Sequence, residues 1–172
     1  MSDNNSQTSP LGAGRASPLF LREEEVRHGI ELMFFGHASL LNEADSILNR
    51  ESLGRAHHRV LYFVARSPGL PVSRLLAILG ITKQSLSRVL SDLVRMELVE
   101  QRTGEADRRQ RLISLTESGR ALEARLFEAM RSSMAGAYQL AGQHAVTGFW
   151  SVLAGLIPLE QRALVASLSG TG

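Results

Sequence analysis

ITKQSLSRVLSDLVRMELVEQRTGEADRRQRLISLTESG, residues Ile81–Gly119, carries the pattern that decides the fold. Leu86, Val89, Leu90 and Leu93 recur at spacings of three and four, so a helix here turns one apolar stripe inward. Thr82 is placed as its N-cap, which leaves Lys83, Gln84, Ser85, Ser87 and Arg88 on the exposed first turns. Leu98 to Thr103 and Gln110 to Leu115 read as two strands, with Ile113 and Leu115 on one face, flanking the polar loop Gly104 to Arg109. Each part suits a different surface of DNA. The helix can enter a major groove, and the tip, with arginines beside an aspartate, is shaped to reach a backbone or a minor groove.

Upstream, a helix follows Pro71 with Leu75, Leu76, Ile78 and Leu79 inward and Gly80 at its C-terminal end. Two helices joined by a short turn with Gly make a helix-turn-helix, and the hairpin after them makes it a winged one. Arg55 to Arg66 is a further helix, stopped by Ser67, Pro68 and Gly69. From Glu23 to about Arg50 the apolar positions Val26, Ile30, Phe34, Leu41, Ala44 and Leu48 mark a long first helix. Downstream, Thr116, Glu117, Ser118 and Gly119 start another long helix, with Gly142 interrupting it. A second apolar run (Val146, Phe149, Trp150, Leu153) follows, and Pro158 begins a last helix through Leu168.

The expected fold is therefore mainly α with a small β-hairpin wing. The terminal helices carry too many large apolar residues for a monomer's surface, so an intermolecular interface with the first helix is expected. On this reading residues 1–19 are a disordered tail and 20–54 an N-terminal dimerisation helix. Residues 55–115 are the winged helix-turn-helix domain and 116–172 the C-terminal dimerisation helices.

Composition bounds the function. The 172 residues suit one domain with extensions, and 44% apolar content supports a sizeable core. No apolar run approaches the roughly 20 residues of a membrane helix. The opening MSDNNSQTSPLGAGRASP lacks the order of a signal peptide. A soluble, cytoplasmic protein with no membrane partner is expected. The chain has no cysteine, which removes disulfides, thiolate metal sites and thiol redox switches. Its net charge of +2 is unevenly spread, with −4 over residues 20–54 and +6 over residues 55–111. Eighteen of the nineteen basic residues are arginine, the side chain that forks onto phosphates and guanine edges.

The segment TKQSLSRVLSDLVRMELVEQR, the wing GEADRRQRLISLT and the ESG after it resemble the MarR family of bacterial transcription regulators, over about residues 25–168. RAHHRVLYF and the wing look most like its PetP-like branch. The resemblance implies a homodimer whose terminal helices form the dimerisation layer and whose two winged modules face successive major grooves of a pseudo-palindromic operator. It places Gln84, Ser85, Ser87 and Arg88 on the groove-facing side of the recognition helix. Arg109 corresponds to the wing arginine that enters the minor groove, and Asp107 to the acid that orients it. Two departures stand out. Glu97 occupies the place of the usual Gly that ends the recognition helix, and TGEA replaces a Pro- and Asp-rich start of the wing.

Individual residues keep alternatives. Arg88 suits either a guanine edge or a phosphate, and Gln84 either adenine or solvent. Arg74, Thr82, Lys83 and Arg108 are phosphate candidates. The resemblance also implies a small, often aromatic, anionic effector bound between the dimerisation layer and the winged module. His37, His58, Arg59 and Tyr62 are the candidate lining, although such residues also finish helix interfaces. The competing class is a winged-helix module that recruits a protein partner; it needs no polar first turn on the recognition helix. The five histidines lack ligand spacing, so no metal or cofactor is expected. No enzyme is expected, since a phosphate loop, a nucleophile motif and paired carboxylates are all missing.

Overall fold

The computed structural model describes residues 17–105 and 107–169. The expected disordered tail therefore falls outside the described residues up to position 16, as does Ala106 of the expected loop. After a 3-10 turn at Pro18–Leu21 the elements run α1 (Glu23–Arg50), α2 (Arg55–Arg66), β1 (Leu70–Pro71), α3 (Val72–Leu79), α4 (Lys83–Arg95), β2 (Val99–Thr103), β3 (Arg111–Leu115), α5 (Glu117–Leu156) and α6 (Leu159–Ser169). Two compact units divide the chain, one ending at Ser39 and one beginning at Leu40.

The first unit holds the 3-10 turn and the opening of α1. Glu23, Glu24 and Glu25 occupy the first turn of the helix, where negative charge complements the positive helix end. Val26, Ile30 and Phe34 fall at helical spacing as expected, yet all three are exposed, Phe34 at 72% with Phe35 beside it at 76%.

The second unit has one core. Ala44 and Leu48 from the last turns of α1, Val60, Leu61 and Val64 from α2, Leu75 from α3, Leu86 and Leu93 from α4, Ile113 from β3 and Leu126 from α5 are all buried in it. Helix α2 is central, packing against α3, α4, α5 and β3. Gly80 ends α3 in the left-handed region at φ 62°, and its amide donates to the Leu76 carbonyl oxygen at 3.0 Å. Only a residue without Cβ takes that conformation without cost.

The hairpin pairs Val99 with Leu115 and Gln101 with Ile113, each strand starting one residue later than its sequence suggests. A third strand adds to it, because Leu70 and Pro71 pair with Ile113 and Leu112 to give the order β1-β3-β2. Pro71 is tolerated there because β1 is an edge. Helix α5 is two limbs, since Gly142 leaves the helical region at φ 77°, ψ 162°. Across that break Trp150 Nε1 donates to the Tyr138 hydroxyl at 2.8 Å.

The end of α4 and the start of α5 are tied together. Glu97 sits at φ 55°, a left-handed conformation that costs an L-residue roughly 1–2 kcal/mol. The Thr116 hydroxyl donates to the Glu97 carbonyl at 2.6 Å and accepts from the Gly119 amide at 3.0 Å, which caps α5. The Thr116 amide donates to the Leu98 carbonyl oxygen at 3.2 Å. Gly119 packs so closely on that carbonyl that a Cβ would overlap its oxygen.

Two expectations follow. Gly119→Ala must push α5 off the Leu98 carbonyl, and overpacking against fixed backbone costs about 1–3 kcal/mol or more; urea unfolding should show a lower midpoint with an unchanged slope. His58 is only 6% exposed, and burial pushes its pKa below the usual 6.5, partly offset by Asp45. A base with a depressed folded pKa contributes stability above its unfolded value, lost as pH falls through the folded one. The melting temperature should therefore drop from pH 6.5 downward, and His58→Leu should flatten that part of the profile.

Candidate nucleic-acid interface

Helix α4 is laid down by its buried stripe Leu86, Val89, Leu90 and Leu93. Its first turn is fixed by Thr82, whose Oγ1 accepts from the Ser85 amide at 3.2 Å and lies 2.9 Å from Ser85 Oγ. With that stripe inward, Lys83, Gln84, Ser85, Ser87 and Arg88 are all exposed. Among the described residues, neither Lys83 nor Arg88 is engaged in an ion pair. Lys83, Gln84, Ser87 and Arg88 thus share one exposed face with Ser85, whose hydroxyl meets the cap; cations, an amide and small hydroxyls are the groups that hydrogen-bond phosphate oxygens and base edges.

The far end of α4 is held instead. The Gly54 amide donates to His57 Nδ1 at 3.1 Å, leaving Nε2 to carry the ring proton toward Asp92 Oδ2, 3.5 Å away. Asp92 also accepts from Arg95 at 2.8 Å. These bonds, Arg95 first and His57 second, hold its carboxyl below the ordinary range. Arg59 donates to the Leu79 carbonyl oxygen at 2.9 Å, tying α2 to the last turn of α3.

The wing tip is braced by its own backbone. The Gly104 amide donates to the Gln110 carbonyl at 2.9 Å, and the Gln110 amide to the Asp107 carbonyl at 3.0 Å. Gly104 is buried, and a Cβ there would lie 2.9 Å from the Asp107 carbonyl oxygen. Asp107 Oδ1 accepts from the Arg109 amide at 2.9 Å, an Asx turn. The acid thus fixes the backbone from which Arg109 projects rather than holding its guanidinium. Both Arg108 and Arg109 are exposed and, among the described residues, stand outside the ion pairs.

The remaining expected residues lie on different elements. Arg74 is exposed on α3 but donates to Ser167 Oγ of α6 at 2.7 Å. His37 belongs to the first unit, His58 is buried in the core and Arg59 is spent on α3. Tyr62 does line a cavity of about 540 Å³ between α2, α5 and α6, with Phe63, Arg66, Glu123, Phe127 and Val165. Of its lining only Tyr62 was foreseen. The i, i+4 pairs Tyr62 with Arg66 and Glu123 with Phe127 are visible in the sequence, but nothing local joins them to Val165.

The model for the MarR family matches residues 52–110, the stretch from the end of α1 through the wing tip. The chain is 47% identical over 149 residues to the HTH-type transcriptional regulator PetP of Rhodobacter capsulatus, covering 87% of this chain and 90% of that protein. Among solved structures it resembles a mutant MarR from E. coli complexed with operator DNA, at TM-score 0.62 and 20% identity over 83% of this chain and 100% of that one. It also resembles the PcaV transcriptional regulator of Streptomyces coelicolor in complex with its natural ligand, at TM-score 0.57 and 19% identity over 81% and 94% of the two chains. The two structures share the fold, and the likeness to PetP extends the kinship to sequence over nearly the whole chain. The protein belongs to the MarR family of winged-helix transcription regulators.

Proposed function

We propose that the protein regulates transcription as a homodimer on a pseudo-palindromic operator, with α4 in the major groove and the wing in the minor groove. The observation that carries this reading is the exposed face of Lys83, Gln84, Ser85, Ser87 and Arg88, with a wing whose Arg108 and Arg109 are exposed and, among the described residues, outside the ion pairs. Phosphates are met by Arg108, Lys83 and the Thr82 hydroxyl at the helix start; Gln84 and Arg88 face base edges. Arg109 reaches the minor groove from a backbone that Asp107 has set in place. Arg74 joins the phosphate contacts only if it leaves Ser167. The structural neighbour MarR was solved with operator DNA.

Residues 20–54 and 116–172 supply the dimer. Val26, Ile30, Phe34 and Phe35 in the first helix, and Trp150, Leu156 and Leu159 near the C-terminus, are large apolar side chains exposed in a single chain. Pairing two copies removes such surface from water. Residues 55–115 then read DNA. A small aromatic or anionic molecule modulates the spacing of the two modules; the neighbour PcaV was solved with its natural ligand.

Selection of bound DNA from a random pool should enrich a two-fold motif, and its absence would overturn this reading. On the selected site, Arg109→Ala should cost on the order of 1–3 kcal/mol and relax preference at the flanking positions. Asp107→Ala should lose less, about 1 kcal/mol, because it loosens the tip without removing the contact. Titrations by fluorescence anisotropy at several salt concentrations separate the two, since only a lost phosphate or groove cation lowers the salt slope.

A further inference from the structure

We infer that the cavity between α2, α5 and α6 binds an organic cation with an aromatic body, for which Glu123 is the counter-charge. Its volume of about 540 Å³ suits a small molecule. Tyr62, Phe63 and Phe127 line it, and aromatic faces attract a cation through their negative quadrupole. Tyr62 and Phe63 meet edge to face, with ring centroids 5.3 Å apart, and so present differently oriented surfaces.

The two charged residues of the lining are not equivalent. Arg66 donates to the Leu168 main-chain oxygen at 2.8 Å and is exposed. Glu123 is half-buried and, among the described residues, its carboxylate is outside every ion pair and side-chain hydrogen bond. Burial pushes its pKa up. A ligand ammonium beside it restores what burial removed, whereas a ligand carboxylate adds a like charge at short range. The sign of the ligand is thus opposite to the anion that the family resemblance implies.

The regulatory consequence rests on the proposed function; the binding step does not. Benzyltrimethylammonium and benzoate, matched in ring and opposite in charge, are titrated into the full-length protein by calorimetry, without DNA. The cation should bind at least tenfold tighter than benzoate. Glu123→Gln should weaken the cation about tenfold and bring the two ligands within a few-fold of each other, while Glu123→Asp, which keeps the charge, should retain most of the preference. Circular dichroism checks that each variant folds, and if Glu123→Gln does not, cation affinity of the native protein from pH 7 down to 4 replaces it. Affinity should then fall as Glu123 takes up its proton. Tighter binding of benzoate, no binding of the cation, or an affinity indifferent both to Glu123→Gln and to pH would overturn the inference. Operator affinity measured without either ligand tests the regulator reading separately: its loss leaves the cavity's charge preference standing, and its presence does not rescue a cavity that prefers benzoate.

Discussion

The fold turns on the joint between the end of α4 and the start of α5. One hydroxyl, that of Thr116, donates to the Glu97 carbonyl and accepts from the Gly119 amide. The neighbouring Leu98 carbonyl receives the Thr116 amide while Gly119 packs on it. A free helix end leaves such groups to solvent; here two ends satisfy each other. The joint fixes the direction in which α4 leaves relative to the start of α5. Glu97 bears the cost, held left-handed where a glycine would rest without strain. It persists because the bonds around it over-determine its conformation.

Rigidity is spent in the same way at the wing, and selectively. Backbone bonds and the Asp107 side chain hold the tip, yet the guanidinium groups of Arg108 and Arg109 are exposed and, among the described residues, outside the ion pairs. On α4 the distal end is pinned through His57, Asp92 and Arg95, while the proximal polar face, among the described residues, has no side-chain restraint beyond the Thr82 and Ser85 cap. Such a surface pays little to reorganise on meeting a polyanion, since no ion pair must first be broken.

What the sequence made legible was whatever depends on neighbours within one or two turns. The stripe Leu86, Val89, Leu90 and Leu93, the Thr82 cap, the Gly80 stop and the Gly142 break are all local, and all stand where the spacing put them. Glu97 stood out only against the family pattern, which has a glycine at its place; its own neighbours carry no signal that the backbone turns left-handed there. Strand β1 was not, since two residues carry no alternation and its existence depends on Ile113 and Leu112, over forty positions away. Proximity in sequence placed Asp107 beside Arg109 but could not say which atom it holds; a two-residue separation favours the amide over a long guanidinium. Nor could the candidate lining be gathered, for His58 turned into the core and the cavity's α6 wall is remote in the chain.

That wall connects the two ends of the proposed function. Helix α6 is held to the winged module by Arg66 on the Leu168 carbonyl and by Arg74 on Ser167. Arg66 and Leu168 also line the cavity, so whatever fills it presses on the contacts that position α6. Arg74 is at once the neighbour of that contact and a phosphate candidate, and one guanidinium group directed at Ser167 is not directed at DNA. A ligand that moved α6 would thus also move the Ser167 contact that holds Arg74. Because coupling between two binding equilibria is reciprocal, a ligand that loosens operator binding through α6 must itself bind less tightly to the DNA-bound protein, by the same factor.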